Sequence, residues 1–280
     1  MQLSNRLIKW LISGPPLVFL LIFFVAPSLI MIVTSFRLPG EFGGLAPLTI
    51  FSEHTSIDSG LTLETYQFFL SDWIYLEIFL KSFFIATLTT IICIAMAYPL
   101  ALLIANSPRK FRNLMIMLVV LPFASNFLIR VYAWMIILGP ESTLSHVVNH
   151  ILGVLGLEPV TLLFSPFAVL IGMVYVHLPF MILPLYTNLE KHDPILLDAA
   201  QDLGANRWQQ FWCVTWPLSL PGIFSGSALV FIPVLGMFAI PDILGGTGDI
   251  VIGNLIKDQF LGTRDWPFGS TLSIMLTIAV

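Results

Sequence analysis

The stretch Asp193–Pro217 reads DPILLDAAQDLGANRWQQFWCVTWP and lies between two apolar runs. Asp193 is a favourable helix N-cap, and Pro194 fits a first helical turn because its missing N–H is not needed there. Apolar side chains then follow at helical spacing. These residues are Leu196, Ala199, Ala200 and Leu203. Gly204 can take the left-handed conformation that ends a helix.

A second short helix is predicted in the same stretch. Asn206 can cap a helix that begins at Arg207 and runs to about Thr215, and Pro217 is expected to end it. The sequence therefore predicts a helix, a turn and a helix that lie outside the bilayer. The small side chains on the first helix would let the backbone of another protein approach closely.

Composition indicates a membrane protein. The chain has 280 residues, of which 57% are hydrophobic and 10% charged, and its mean hydropathy is +0.93. A soluble domain carries roughly 25% charged residues. We expect one polytopic membrane domain over residues 1–280, with a loop at 190–217 within it. The two cysteines, Cys93 and Cys213, indicate neither a disulfide framework nor a zinc site.

The apolar runs predict an all-α fold with six transmembrane helices. A span needs about 20 mainly apolar residues. The five full predicted spans are Gly14–Phe36, Ile78–Ala105, Leu114–Leu138, Ser165–Leu189 and Leu218–Ile240. The last run, Pro267–Val280, would cover roughly 21 Å of a hydrocarbon core that is roughly 30 Å thick. We expect this sixth helix to be truncated in the sequence. Shorter helices are expected near Leu63–Tyr75 and Leu144–Leu155.

Lys and Arg set the orientation of a membrane protein, because they are enriched in cytoplasmic loops. One set of segments holds seven of them, and the opposite set holds four. The larger set is Arg6, Lys9, Arg109, Lys110, Arg112, Lys191 and Arg207. The smaller set is Arg37, Lys81, Lys257 and Arg264. The N-terminus and the 190–217 loop are therefore predicted to be cytoplasmic.

The 190–217 loop resembles the signature loop of ABC-importer permeases, which reads E-A-A, three residues, G, nine residues, I-x-L-P. The matching residues are Asp198, Ala199, Ala200, Gly204, Val214, Trp216 and Pro217. Asp replaces Glu, Val replaces Ile and Trp replaces Leu, but the spacing is intact. The resemblance implies that Asp198, Ala199, Ala200 and Gly204 dock on an ATPase subunit and pass its motion to the membrane helices.

Other stretches are similar to the permeases of bacterial spermidine/putrescine importers. They are Leu121–Trp134, Leu178–Lys191, Ile252–Leu261 and Arg264–Gly269. This resemblance implies a non-catalytic permease of the inner membrane that works by alternating access and carries no cofactor. Its implied partners are a second homologous permease subunit, two ATPase copies, an external solute-binding protein, a polyamine and membrane lipid. It implies no nucleic-acid partner.

Arg130 is the residue whose burial in the membrane is most expensive, since it lies about two-thirds of the way along the third predicted span. It is expected either to be a structural charge or to act as a gate. Asp242, just outside the fifth span, is a candidate partner for it.

Polar and aromatic residues near Pro122 and Pro233 are candidates for a translocation path, because prolines interrupt spans where cavities or neighbours satisfy the backbone. The candidate path residues are Phe123, Asn126, Trp134, Ser225, Phe231 and Asp242. Ordinary helix packing is an equally good interpretation.

The predicted outer loops carry twelve acidic residues against four basic ones, which favours a cationic solute or a basic partner. Among the acids are Glu41, Glu53 and Asp58 in the first loop.

Three other classes of function are weighed against the importer. Gly245–Gly248 lacks the Gly-Lys-Ser/Thr ending of a phosphate loop, and His146 and His150 lack the further ligands of a metal site, so no metal site is predicted. A membrane-embedded enzyme would need a nucleophile or metal set, which the sequence does not offer. A stand-alone secondary transporter would need acids deep inside its spans. The sequence leaves a further alternative, an importer of the same class that carries another solute.

Overall fold

The protein is helical over the residues that the computed structural model describes, which are 5–40, 42–46 and 61–280. Its first helices are α1 (Asn5–Leu20), α2 (Ala26–Ser35), α3 (Glu64–Ser71), α4 (Trp73–Asn106), α5 (Arg109–Val120), α6 (Phe127–Leu138) and α7 (Thr143–Val154). They are followed by α8 (Pro166–Leu189), α9 (Ile195–Asp202), α10 (Arg207–Gln210), α11 (Trp216–Leu235), α12 (Ala239–Leu244), α13 (Ile252–Leu261) and α14 (Trp266–Ala279). Extended pairing in these ranges is limited to two isolated bridges. The predicted all-α class is confirmed.

Five stretches of the described chain are long and apolar enough to cross a membrane. They are Ile12–Ser35, Trp73–Asn106, Phe127–Val154, Pro166–Leu189 and Arg207–Leu235, and Trp266–Ala279 is a shorter apolar helix. The first, second, fourth and fifth predicted spans each fall on one of these stretches. Ser165 caps α8 by accepting a hydrogen bond from the Ala168 N–H at 3.2 Å. The short helices α3 and α7 lie where helices were expected.

The third predicted span, Leu114–Leu138, is interrupted near Pro122, one of the prolines expected to interrupt spans, and the apolar stretch found there is Phe127–Val154. The chain leaves α5 at Val120, passes through a 3-10 turn at Leu121–Ala124 and enters α6 at Phe127. Pro122 has no N–H to continue the ladder of α5. The Asn126 side chain then accepts a hydrogen bond from the Leu128 N–H at 2.8 Å and starts a new helix. Pro122 is the residue that marks this break in the sequence.

The described residues form two compact units, and the first comprises Met1–Glu77 and Leu255–Val280. Thr271 lies at its centre: its hydroxyl contacts the Thr65 hydroxyl at 3.1 Å and the Ser35 carbonyl at 3.4 Å. Phe268 packs edge-on against Tyr75, with ring centroids 5.1 Å apart. Helices α2, α3 and α14 are therefore held together by buried hydroxyls and aromatic rings.

The second unit, Ile78–Asn254, is built around α4, α8 and α11. Helix α4 turns a stripe of small side chains inward, which lets other helices approach closely. The buried members of this stripe are Ala86, Thr90, Cys93, Ala97 and Ala101. The Cys93 thiol lies 3.9 Å from the Val174 carbonyl of α8.

Glycines let α11 lie directly on α8. A Cβ atom at Gly222 would lie 2.7 Å from the Asn188 Cβ. A Cβ atom at Gly226 would lie 2.7 Å from the Met181 sulfur and 3.3 Å from the Met181 carbonyl oxygen. Since part of the obstruction at Gly226 is backbone, α8 cannot move aside by changing one rotamer.

Gly226→Ala is expected to lower the melting temperature of the purified protein in detergent. The added methyl overpacks the α8–α11 contact, and overpacking typically costs about 1–3 kcal/mol. The matched control is Gly153→Ala in α7, where a Cβ atom meets nothing within 4 Å. The control should leave the melting temperature unchanged or raise it slightly, since alanine has a higher helix propensity than glycine. A Gly226→Ala protein that melts no lower than the wild type would contradict the close packing.

Candidate functional site

The segment Asp193–Pro217, called the elbow below, forms the predicted first helix and turn. The Asp193 carboxylate accepts a hydrogen bond from the Ile195 N–H at 3.0 Å, so α9 begins just after Pro194. Gly204 has a φ of +84°. The N–H groups of Gly204 and Ala205 donate to the carbonyls of Gln201 and Ala200 at 2.8 and 3.0 Å. This pair of bonds is the Schellman motif that closes a helix at a left-handed glycine.

The second helix of the elbow starts as predicted. The Asn206 side chain accepts from the Gln209 N–H at 2.9 Å, and the Gln209 side chain accepts from the Asn206 N–H at 2.8 Å. This reciprocal arrangement is a capping box, with Gln in place of the commoner Glu. Helix α10 therefore begins at Arg207.

The predicted end of that helix at Pro217 was wrong. Helix α10 passes through a π turn at Phe211–Thr215 directly into α11. The Trp216 N–H donates to the Phe211 carbonyl, five residues earlier. The backbone hydrogen bonds have therefore already changed from the i→i−4 to the i→i−5 pattern before Pro217. A proline that follows a π turn is accommodated without ending the helix. The same arrangement precedes Pro27, where the π turn Leu21–Val25 comes before Ala26.

The elbow presents an exposed apolar surface. Leu203 is 89% exposed, Trp208 70% and Ile195 66%. Asp198, Ala199 and Gly204 are exposed beside them, and Ala200 is half-buried. The structure thus places all four predicted coupling residues on one exposed helical hairpin. Large apolar side chains gathered on a short segment are typical of a protein-binding surface.

An ion pair fastens the start of the elbow to the neighbouring helices. Arg112 of α5 donates from Nη1 to Glu190 at 2.5 Å and from Nη2 to the Ala105 carbonyl of α4 at 2.7 Å. A hydrogen bond from Tyr186, followed by the Arg112 contacts, lowers the pKa of Glu190. Sequence reasoning missed this clamp, because Arg112 and Glu190 are 78 residues apart and no local pattern connects them.

A cavity of about 320 Å³ lies beneath the elbow. Residues that line it include Asn106, Arg112, Glu190, His192, Asp193 and Leu197. The Nε of Arg112 and the Nε2 of His192 are buried and have no hydrogen-bond partner among the residues that the structure describes. The underside of α9 is therefore not tightly packed.

One of the six candidate path residues, Ser225, lines a groove, and a second, Phe123, contacts the wall of that groove. A groove of about 500 Å³ between α8 and α11 is lined by Ser225, Phe180, Asn188 and Lys191, among others. The ring of Phe123 lies edge-on to Phe180, with centroids 5.2 Å apart. Asn126 is the exposed cap of α6, three residues from Phe123.

The other three candidates lie against other partners. Trp134 packs on Tyr175 with ring centroids 5.6 Å apart, and Phe231 packs on Phe83 at 5.9 Å. Asp242 accepts a hydrogen bond from the Asn254 amide. The structure does not bring these three to the groove that Ser225 lines. A path through all six residues stays a prediction.

Arg130 does not form the predicted pair with Asp242. Its guanidinium carbon lies 4.8 Å from the centroid of the Phe123 ring, which is a cation–π geometry. Its Nε and Nη1 are buried without a hydrogen-bond partner in the described part of the chain. The break before α6 places the Phe123 ring beside Arg130, whereas α12 directs Asp242 toward Asn254.

Glu190→Gln is expected to lower the melting temperature at pH 7. The folded-state pKa of Glu190 lies below its usual 4.5, so its stabilising contribution is present above that value and is lost as pH falls through the folded pKa. The difference in melting temperature between wild type and Glu190→Gln should therefore vanish in acid. Glu158→Gln, at an exposed position, is the control. A difference that persists unchanged as the pH falls through the folded pKa of Glu190 would contradict the clamp.

Comparison with known proteins identifies the family. A family described as "Binding-protein-dependent transport system inner membrane component" matches residues 97–280. The spermidine/putrescine permease PotB of Escherichia coli K12 is 40% identical over 261 residues, which cover 93% of this chain and 90% of that protein. PotB of Haemophilus influenzae is 44% identical over 218 residues, which cover 78% of this chain and 75% of that protein.

A solved structure has the same fold. It is the bacterial alginate ABC transporter in complex with its alginate pentasaccharide-bound periplasmic protein. The match has a TM-score of 0.69 and 18% identity, and covers 97% of this chain and 89% of that one. Proteins of this family work with a solute-binding protein and a separate ATPase. The chain belongs to the inner-membrane components of binding-protein-dependent transport systems and is a non-catalytic ABC-importer permease.

Proposed function

We propose that this permease imports polyamines, namely spermidine and putrescine, and that its elbow couples the movement to ATP hydrolysis in a partner subunit. The observation that carries the proposal is the exposed hairpin around Gly204, which bears the spaced Asp198-Ala199-Ala200 and Gly204 motif on an ABC permease fold. The substrate comes from the similarity to the two spermidine/putrescine permeases.

The elbow has the properties of a docking knob for an ATPase. Small side chains at Ala199 and Ala200 let a partner backbone approach, and the glycine turn holds the two helices at a fixed angle. Leu203 and Trp208 supply apolar area that a soluble partner can bury. When ATP binding closes an ATPase dimer, the docked elbow would be dragged along and would turn the helices behind it.

The distribution of Lys and Arg supports a cytoplasmic elbow and a cytoplasmic N-terminus. Arg109, Lys110 and Arg112 begin α5, and Lys191 and Arg207 flank α9. These basic residues gather at the end of the second unit that carries the elbow. An ATPase partner requires that side, because ATP is supplied from the cytoplasm.

Two further partners complete the proposed importer. A second homologous permease subunit would face the groove between α8 and α11 and close the translocation path, and a solute-binding protein would deliver the polyamine outside. Membrane lipid would surround the remaining apolar surface. Ser225, in the groove, and Phe123, behind Phe180, are the path candidates with geometric support.

The acidic outer loops favour a cationic solute, although less strongly than a plain count of charges suggests. Asp249 pairs with Lys81 at 3.5 Å, and Asp242 is hydrogen-bonded to Asn254. Glu41, Glu53 and Asp58 lie outside the described residues. The field of the remaining acids reaches only about 8 Å at physiological salt.

Gly204→Asp is expected to leave membrane insertion intact and to abolish transport. A side chain at Gly204 meets nothing within 4 Å, and aspartate tolerates a positive φ better than most residues, so the turn should survive. A charge in the docking surface should then remove the stimulation of ATPase activity by the loaded binding protein. The measurement is ATP hydrolysis and solute uptake by the reconstituted importer.

Gly156→Asp is the matched control, because Gly156 has a φ of +72° and is equally unobstructed but lies outside the elbow. It should transport normally. Normal uptake by the Gly204→Asp importer would refute the coupling role.

Labelled spermidine should be taken up by the reconstituted importer in the presence of ATP and its binding protein. Unlabelled putrescine should compete, whereas neutral sugars and anionic solutes at the same concentration should not. Failure of spermidine to be transported, together with uptake of another solute, would keep the importer class and remove the polyamine assignment.

A further inference from the structure

A continuous column of aromatic rings leads from the elbow into α4. Its members are Trp208, Phe211, Trp212, Trp216 and Tyr98. Trp208 contacts Trp212 with ring centroids 5.7 Å apart, and Trp212 contacts Trp216 at 5.4 Å. Phe211 lies beside this line, 5.3 Å from Trp212 and 6.2 Å from Trp208. Each step is within the range of direct aromatic packing.

The column converges on Tyr98. Trp216 approaches the Tyr98 ring to 5.2 Å and Phe211 approaches it to 5.6 Å. The Tyr98 hydroxyl is 2.9 Å from the Ser219 hydroxyl of α11. Trp208 at the outer end is 70% exposed, whereas Tyr98 is only 6% exposed. The column therefore joins the exposed surface of the elbow to the interior of the helical unit.

The column contacts α4 at Tyr98, next to a proline that weakens the backbone hydrogen bonding of that helix. Pro99 follows Tyr98 directly and lies inside the continuous helix Trp73–Asn106. A proline inside a helix removes one backbone hydrogen bond and favours a bend there. The segment that follows Tyr98 and ends at Asn106 is therefore the part of α4 that can bend most easily relative to the rest of the helix.

The clamp at the start of the elbow ends on the same segment. Arg112, which pairs with Glu190, donates to the carbonyl of Ala105 in α4. Between the clamp and the column, the cavity of about 320 Å³ leaves α9 without dense packing beneath it. The clamp thus reaches α4 beyond Pro99, and the column reaches α4 at Tyr98, directly beside that proline.

We propose that the Tyr98–Asn106 segment of α4 is the element that the elbow moves, with Pro99 as the pivot and Tyr98 as the positioning residue that receives the displacement. The inference rests on the proposed coupling function of the elbow and adds its route into the membrane. Packed rings suit this task, because protein interiors are dense and transmit strain.

The rings have an alternative role as an anchor at the membrane surface, where Trp and Tyr are enriched. An anchor needs rings that reach the headgroups. Tyr98 does not satisfy this condition, since it is buried and hydrogen-bonded to Ser219. The two roles also differ in their consequences, because loss of an anchor changes the amount of inserted protein and not the ratio of hydrolysis to transport.

The test is the number of ATP molecules hydrolysed per spermidine imported by the complete importer in proteoliposomes. Tyr98→Leu should raise this ratio about fivefold or more, which is the size of a modest coupling between sites. Tyr98→Phe keeps the ring and should keep the wild-type ratio. Tyr175→Leu is the matched control, because it removes a tyrosine ring that packs on Trp134 outside the column.

A second variant covers the case in which Tyr98→Leu does not assemble. Phe211→Leu with Trp216→Leu removes both rings that touch Tyr98 and leaves the buried tyrosine in place, and it should raise the ratio in the same way. A wild-type ratio in whichever of these proteins assembles would overturn the inference, and so would an equal rise in Tyr175→Leu. If Gly204→Asp still abolishes coupling while the ratio in Tyr98→Leu is unchanged, only the route through α4 fails.

Discussion

The helical rod that runs from Arg207 through the π turn at Phe211–Thr215 to Leu235 is the constraint on which the rest of the second unit depends. It makes the outer helix of the elbow and a membrane span one rod. The rod lies directly on α8 through Gly222 and Gly226, so it cannot slide without moving its neighbour. A force applied to α10 is therefore applied to the helical bundle, and no flexible linker between them absorbs it.

Much of the fold could be predicted from the sequence because lipid imposes a simple rule. Apolar runs that cross a membrane in this fold class must be helical, and the lengths of these runs can be read from the sequence. The cap at Asn206 and the turn at Gly204 also follow from local chemistry. Pro122 marked the break before α6, but the passage through Pro217 could not be predicted, because a proline ends a helix in one setting and follows a π turn in the other. The difference depends on tertiary packing that a single stretch does not contain.

The candidate site likewise has one part that could be predicted from the sequence and one part that could not. The motif residues around Gly204 could be recognised because they are close in sequence. The Arg112–Glu190 clamp and the contact of Tyr98 with Trp216 could not, because they join distant segments. The expected Arg130–Asp242 pair illustrates a further difficulty. Opposite charges in a membrane protein suggest a pair, but an aromatic face can also accommodate a cation, and sequence spacing does not distinguish the two.

The π turn at Phe211–Thr215 also sets the angular register of the rod. One residue corresponds to about 100° of rotation in an α-helix, so an inserted residue turns everything on one side of it by that amount. The side of α10 that carries Trp208 and the side of α11 that carries Gly222 are therefore related by an offset that an unbroken α-helix would not give. Loss of a single residue from this turn would rotate one surface away from its partner while leaving the composition, hydropathy and length of the span almost unchanged. Relatives that differ by one residue at this place should consequently be compared by helix phase rather than by alignment of their apolar residues.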